Sequence, residues 1–111
     1  MGGRDVSASA DDPIAALWLE IRPNQVRLAE GLLRDARTVA ADLDDGEAWG
    51  RVRAASHRLA GTLGSFGQRA AGDAAVALEE VTGGVETPDQ ELADRTVSLA
   101  DAIVTALHAD D

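Results

Sequence analysis

The side chain best suited to chemistry in this 111-residue chain is the imidazole of His57. An exposed imidazole is largely neutral near pH 7, which leaves one ring nitrogen free as a nucleophile that can accept a phosphoryl group. The chain has no P-loop, HExxH, CxxC or calcium-loop pattern, so we expect no nucleotide, cofactor or metal site of its own. A phosphoryl group, and the Mg²⁺ that screens its charge, would then come from a partner. The second histidine, His108, is assigned no role.

A basic segment surrounds His57 in an otherwise acidic chain. The formal net charge is −10, with 20 acidic residues against ten Arg, yet no acid lies between Ala48 and Gly72. That interval contains Arg51, Arg53, Arg58 and Arg69. The local charge suits a partner that presents carboxylates or a phosphoryl group, while the acidity elsewhere disfavours nucleic-acid and membrane binding. The alternative is a helix whose Arg side chains are balanced by acids of neighbouring elements.

The residue spacing predicts that His57 projects outward from a helix. The inward-facing stripe consists of Trp49, Val52, Ser56, Leu59, Leu63 and Phe66. His57 lies about 140° from Val52 around the helix axis, and the turns beside it carry small residues, namely Gly50, Ala54, Gly61 and Gly64. Because each helical Gly costs about 1 kcal/mol relative to Ala, we interpret the bare surface as room for a partner to reach the imidazole. The alternative is a chance effect of Ala- and Gly-rich coding bias.

Helical periodicity and capping signals predict the elements that position this histidine. The predicted helices run from the Asp12 N-cap through Ile21, from Asn24 to Leu43, from the Asp45 N-cap to Gly67, from Ala71 to Val81, and from a Thr87 capping box to Leu107. Pro23 is predicted to end or kink the first. We therefore expect an all-α, up-down-up-down four-helix bundle with a short additional N-terminal helix over one end. Residues 12–108 would form the bundle, 1–11 a flexible leader and 109–111 a tail.

The sequence also limits where the protein is expected to act. It has no Cys, which is compatible with a reducing compartment, and no apolar run long enough to span a bilayer. The first residues are too polar for a signal peptide. We expect a soluble cytoplasmic protein.

The segment HRLAGTLGSFG at residues 57–67 resembles the motif H-x-L-K-G-x-x-x-x-x-G of histidine-containing phosphotransfer (HPt) domains. The later pair Leu78-Glu79 falls where that family often has Leu followed by Glu or Gln. The resemblance implies a monomeric four-helix bundle that relays a phosphoryl group between His57 and the Asp of receiver domains in a two-component phosphorelay. It implies a carrier without an ATP site, with a response-regulator receiver domain or a hybrid histidine kinase as partner.

One family position differs in this chain, because the usual Lys three residues after the histidine is Ala60. Arg53 or Arg58 could supply a substitute charge. If the helices on either side of Gly67 form a hairpin, Glu79 comes level with His57 and could accept a hydrogen bond from the imidazole. A solvated surface Glu is the alternative. With Ala54, Gly61 and Gly64, these residues make up the expected site and its border.

Two further hypotheses compete with phosphotransfer. The first is a degenerate HPt-like adaptor that binds a receiver or kinase without being phosphorylated. The second is a helical bundle that uses its Leu and Ala faces to assemble with another chain. Replacing His57 with Gln separates phosphotransfer from the adaptor, and size measurement in dilute solution tests the assembly.

Overall fold

A computed structural model describes residues 12–109, which form four α-helices and no strand. The helices are α1 (Pro13–Ala41), α2 (Gly46–Ser65), α3 (Arg69–Thr82) and α4 (Gln90–Ala109). Each packs against the next along the chain, and α4 packs against α1 to close the bundle. This arrangement confirms the predicted all-α four-helix bundle. The predicted leader at 1–11 and residues 110 and 111 of the predicted tail lie outside the described residues.

The predicted short additional N-terminal helix is not a separate element. Helix α1 is 29 residues long and contains Pro23, so the prediction that the first helix ends at this proline was wrong. Proline removes the hydrogen bond to the carbonyl of Leu19, and its ring crowds that carbonyl. Leu19 is 73% exposed, so this part of the helix can adjust toward solvent. The preceding residue, Arg22, donates a hydrogen bond of 2.6 Å to the carbonyl oxygen of Leu107 in α4. Tertiary contact therefore holds α1 in register across the proline.

Aspartate side chains cap three of the helices. Asp12 accepts hydrogen bonds from the amides of Ile14 and Ala15, and Asp45 accepts one from the amide of Ala48, as predicted. The start of α4 differs from the prediction at Thr87, because Asp89 accepts from the amide of Leu92 at 2.8 Å. A charged carboxylate complements the positive end of a helix better than the Thr hydroxyl does.

Among the helices of residues 12–109, we find no candidate for a membrane span.

Leucine and alanine side chains form most of the core. Its largest fully buried apolar members are Leu32, Leu59, Leu63, Leu78, Ile103, Leu107, Val39 and Val52. Near Gly72 the backbones of α2 and α3 come close, since a Cβ built there would lie 3.6 Å from the amide nitrogen of Gly64. Gly67, with φ of +69°, makes the turn between these two helices. The glycines thus let α3 lie directly beside the helix that carries His57.

Contacts at both ends of α2 fix its position in the bundle. The ring of Trp18 in α1 lies 5.8 Å from that of Phe66 at one end. At the other end, Trp49 Nε1 donates a hydrogen bond of 2.7 Å to the carbonyl oxygen of Val85. Arg51 also bridges to Asp35 of α1 at 3.1 Å, and the hydrogen bond from this carboxylate raises the pKa of Arg51 above its ordinary value. Helix α2 is therefore held against both of its neighbours.

Candidate functional site

The imidazole of His57 stands on the outer surface of α2, as its helical spacing predicts. Its side chain is 79% exposed. The inward-facing residues Val52, Ser56 and Leu59 on adjoining turns are fully buried. The buried Ser56 hydroxyl donates to the carbonyl oxygen of Val52 at 2.7 Å, so this polar group is satisfied within the helix. Burial of one face of α2 thus fixes the outward direction of His57.

Glu79 of α3 contacts the histidine ring. Its Oε2 forms a hydrogen bond with Nδ1 of His57, and the Glu79 side chain is 39% exposed. An ionised carboxylate only accepts hydrogen bonds, so this contact requires the proton of a neutral ring to be on Nδ1. The other nitrogen, Nε2, then carries the lone pair. No residue of the described 12–109 hydrogen-bonds to Nε2.

Glycines leave the surface beside His57 without side-chain bulk. Gly61 and Gly64 are exposed, and a Cβ built on either meets no atom within 4 Å. The same holds for Gly50, two turns before the histidine, while Ala54 is exposed and adds only a methyl group. Because the space above these residues is open, a partner backbone or side chain can reach the ring without displacing any part of this helix.

A shallow depression joins the histidine to the end of α3. It is lined by Arg53, Ala54, His57, Glu79, Thr82 and Gly83. Arg53 is exposed, and within the described part of the chain it forms no ion pair. Arg58 is also exposed and unpaired there, but it does not line the depression. Within residues 12–109, Arg51 is the one arginine of the basic segment that pairs with an acid of a neighbouring helix, Asp35.

The family model described as Hpt domain matches residues 20–110 of the chain. This match spans α2, α3 and α4 and most of α1. The chain belongs to the Hpt domain family. Neither a curated protein nor a solved structure matches the chain at a significant level. An Hpt domain is a phosphocarrier module of two-component signalling that interacts with receiver domains and kinases, and this membership gives the chain a phosphotransfer role in that broad sense.

Ala60, which occupies the position of the family Lys, is buried, whereas His57 and its neighbours Arg53, Ala54 and Gly61 are exposed. Ala60 is only 9% exposed and belongs to the hydrophobic core of this Hpt domain, although we expected it to border the partner. It lies about 80° from Val52 on the helical wheel, at the margin of the buried face, where a methyl group is covered but a long side chain could extend outward. Ala60 therefore offers little surface to a partner.

Thr82 and Gly83 line the depression although sequence analysis did not include them in the site. Thr82 is buried, and its hydroxyl donates to the carbonyl oxygen of Leu78 at 2.8 Å. Thr82 could have been predicted by the same count of residues from the turn at Gly67 that predicted Glu79. It lies one helical turn after Glu79, as Arg53 lies one turn before His57, so the two residues come beside each other.

Among residues 12–109 of this Hpt domain, no group of three or more His, Cys, Asp or Glu could hold a metal ion.

Proposed function

We propose that this Hpt domain carries a phosphoryl group on Nε2 of His57 and exchanges it with the Asp of a response-regulator receiver domain in a two-component phosphorelay. The contact between Glu79 and Nδ1, on an exposed and uncrowded helix surface, is the observation that supports this proposal most strongly. It prepares the reactive nitrogen, since the carboxylate keeps the proton on the opposite side of the ring.

The transfer exchanges one bond to phosphorus for another. The lone pair of Nε2 attacks the phosphorus of the aspartyl phosphate, a nitrogen–phosphorus bond forms, and the bond to the Asp oxygen breaks with its electrons on the carboxylate. The Nδ1 proton stays in place, so the product is a phosphorylated imidazolium beside the Glu79 carboxylate. The receiver supplies the Mg²⁺ that neutralises the phosphoryl oxygens. Reversal of the same step returns the group to an Asp.

The proposal extends to partners and setting. The partner is a receiver domain, a hybrid histidine kinase or both, and the basic side chains Arg53 and Arg58 face its acidic phosphorylation site across a border made by Ala54, Gly61 and Gly64. The protein acts as a monomer in the cytoplasm, through a bundle of residues 12–108. It contributes the histidine while its partner contributes the metal and the phosphoryl group.

A phosphotransfer profile tests the proposal. Each receiver of the source organism is phosphorylated, mixed with the full chain, and the label on the chain is measured. We expect one acid-labile, base-stable phosphate in the parent and in His108→Gln, and none in His57→Gln. The His108 variant is a matched control because His108 is also exposed and also contacts a carboxylate, Glu30. Label that persists in His57→Gln with unchanged helicity would contradict the assignment.

A phosphate-independent adaptor is the second candidate, and Ala60 favours it because the family Lys beside the histidine is absent. An adaptor would bind a receiver through the same surface without accepting phosphate. In that case His57→Gln leaves receiver affinity unchanged and the parent remains unlabelled in every reaction of the profile. The two candidates therefore give opposite results in one experiment.

A further inference from the structure

Arg53 is an exposed cation one helical turn before His57. Residues four positions apart on a helix are neighbours, with their Cβ atoms about 5–6 Å apart. Arg53, His57 and Glu79 line the same depression, and no carboxylate of residues 12–109 pairs with the Arg53 guanidinium. A strong donor of hydrogen bonds is thus available beside the histidine that would receive the phosphoryl group.

The packing of α2 distinguishes Arg53 from Arg58. Arg53 and Ala60 are seven residues apart, so they occupy the same side of α2, with His57 between them. This is the side that packs against α3, because Glu79 of α3 contacts His57 there. Arg58 lies near the angular position of Arg51, which bridges to α1. Arg58 is therefore on the opposite flank of the histidine. Arg53 is on the same flank as Ala60, where the family usually has the positive charge of a Lys.

We propose that Arg53 binds the phosphoryl oxygens while the group is on Nε2 of His57 and during its transfer. This inference rests on the proposed function and specifies how the site neutralises the group it carries. Guanidinium is suited to the task because its planar N–H donors match two phosphoryl oxygens at once. Glu79 then balances the charge of the imidazolium at Nδ1, and the longer Arg53 side chain balances the charge of the phosphoryl group on Nε2.

A structural role for Arg53 has to be distinguished from this one. The last turn of α3 contains no basic residue, and Arg53 lies beside Thr82 and Gly83 at that end. A cation there also stabilises the negative end of the helix dipole. Such a role would alter stability, but it would shift the ionisation of a phosphoryl group on His57 no more than another nearby Arg does. The test therefore measures that ionisation and compares Arg53 with Arg58.

The experiment treats the full chain with potassium phosphoramidate, from which Nε2 takes the phosphoryl group as ammonia leaves. All proteins carry His108→Gln so that His57 gives the phosphohistidine signal, which is assigned by its absence in His57→Gln. Phosphorus NMR then follows the second ionisation of the phosphoryl group against pH. We expect Arg53→Gln to raise the pKa of that group by about half a pH unit, because the dianion loses a neighbouring positive charge. Arg53→Lys should restore much of the difference.

Arg58→Gln is the matched control, since it removes the same charge one residue from His57 on the other flank. Equal phosphoryl titrations in the parent and Arg53→Gln, or equal shifts in Arg53→Gln and Arg58→Gln, would overturn the role of Arg53 while leaving phosphotransfer by His57 intact. If no protein gives a signal assignable to His57, the proposed function and this inference both fail.

With a receiver that exchanges phosphate with the parent, Arg53→Gln should slow transfer about fivefold or more, given the roughly 1 kcal/mol scale of such a contact.

Discussion

At the level of single residues, the contact between His57 and Glu79 determines which nitrogen of a neutral imidazole carries the proton. Glu79 accepts from Nδ1, and Nε2 is left with the lone pair. The two residues lie 10 and 12 positions from Gly67, so a hairpin count from the turn was enough to predict their proximity. The contact itself depends on the close packing of α3 on α2, which the count alone does not establish.

Replacing Glu79 should slow phosphotransfer without preventing it. We expect Glu79→Ala to reduce the rate of transfer from a phosphorylated receiver about tenfold, because a hydrogen bond to a charged group is lost. Glu79→Gln should lose less, since its amide oxygen can still accept from Nδ1. Nitrogen NMR of the imidazole should show the proton moving from Nδ1 to Nε2 in the Ala variant.

Glu80→Ala provides the control for this prediction. Glu80 is the next residue on α3, is exposed and carries the same charge, but it does not contact the ring. Its loss should leave the tautomer and the transfer rate unchanged. Equal rates for the Glu79 and Glu80 variants would show that only the general charge of α3 matters.

At the level of helices, α2 combines a buried stripe with an exposed row of glycines. Gly61 is exposed and a Cβ built there meets no atom within 4 Å, so we expect a longer side chain to extend into solvent beside the histidine without disturbing the fold. Gly61→Ala and Gly61→Gln should both raise the free energy of unfolding, by about 1 kcal/mol for Ala. Only Gln should slow transfer from a receiver, because its side chain extends into the approach path.

Gly61→Ala is the control for Gly61→Gln, because both variants should be more stable than the parent but only Gln adds a long side chain beside the histidine. Chemical denaturation measures the stability of both proteins, and the transfer rate is measured on the same preparations. Unchanged transfer in Gly61→Gln would mean that the receiver does not pass over this turn. The glycines beside His57 would then be a feature of composition.

The continuous α1 makes a separate prediction about Pro23. Its substitution by Ala restores the amide that can donate to the Leu19 carbonyl and removes the steric conflict of the ring. We expect Pro23→Ala to raise the free energy of unfolding by about 1–3 kcal/mol, as measured in urea. Phosphotransfer should be unaffected, since Pro23 belongs to α1 and does not line the depression at His57. A less stable variant would mean that the proline is favoured by its tertiary contacts.

The sequence predicted those features of the helices that depend on local periodicity. The buried face of α2 follows from residue spacing alone, and the Asp12 and Asp45 caps follow from residue type at the start of a helical pattern. The path of α1 across Pro23 does not, because it depends on solvent at Leu19 and on the contact of Arg22 with α4. Likewise, a wheel of α2 gives the angle between Arg53 and Arg58, but only the packing of α1 and α3 shows which flank each one occupies.

At the level of the whole molecule, charge is distributed unevenly. The net charge is −10, and the ion pairs within residues 12–109 are Arg51–Asp35, His57–Glu79 and His108–Glu30. His57 and His108 carry a positive charge in these pairs only when their rings are protonated. We therefore expect repulsion among the carboxylates to outweigh the attraction between opposite charges.

Salt should consequently stabilise the fold. Raising NaCl from about 20 mM to about 500 mM shortens the Debye length from roughly 20 Å to about 4 Å and screens the carboxylates from one another. We expect the free energy of unfolding at pH 7 to increase, on the order of 1 kcal/mol, in thermal or urea denaturation. The increase should diminish near pH 4, where many carboxylates are protonated. Destabilisation by salt at pH 7 would indicate that the few ion pairs outweigh the repulsion.

The two tryptophans give the molecule built-in optical reporters at separate ends. Trp18 lies against Phe66 at the end of α2, and Trp49 lies near its start, hydrogen-bonded to Val85. Trp49 and Phe66 are 17 positions apart, which corresponds to roughly 25 Å along the helix, with His57 about halfway. Single-tryptophan versions would therefore reveal, by the emission of one fluorophore at a time, which end of the bundle opens first during unfolding.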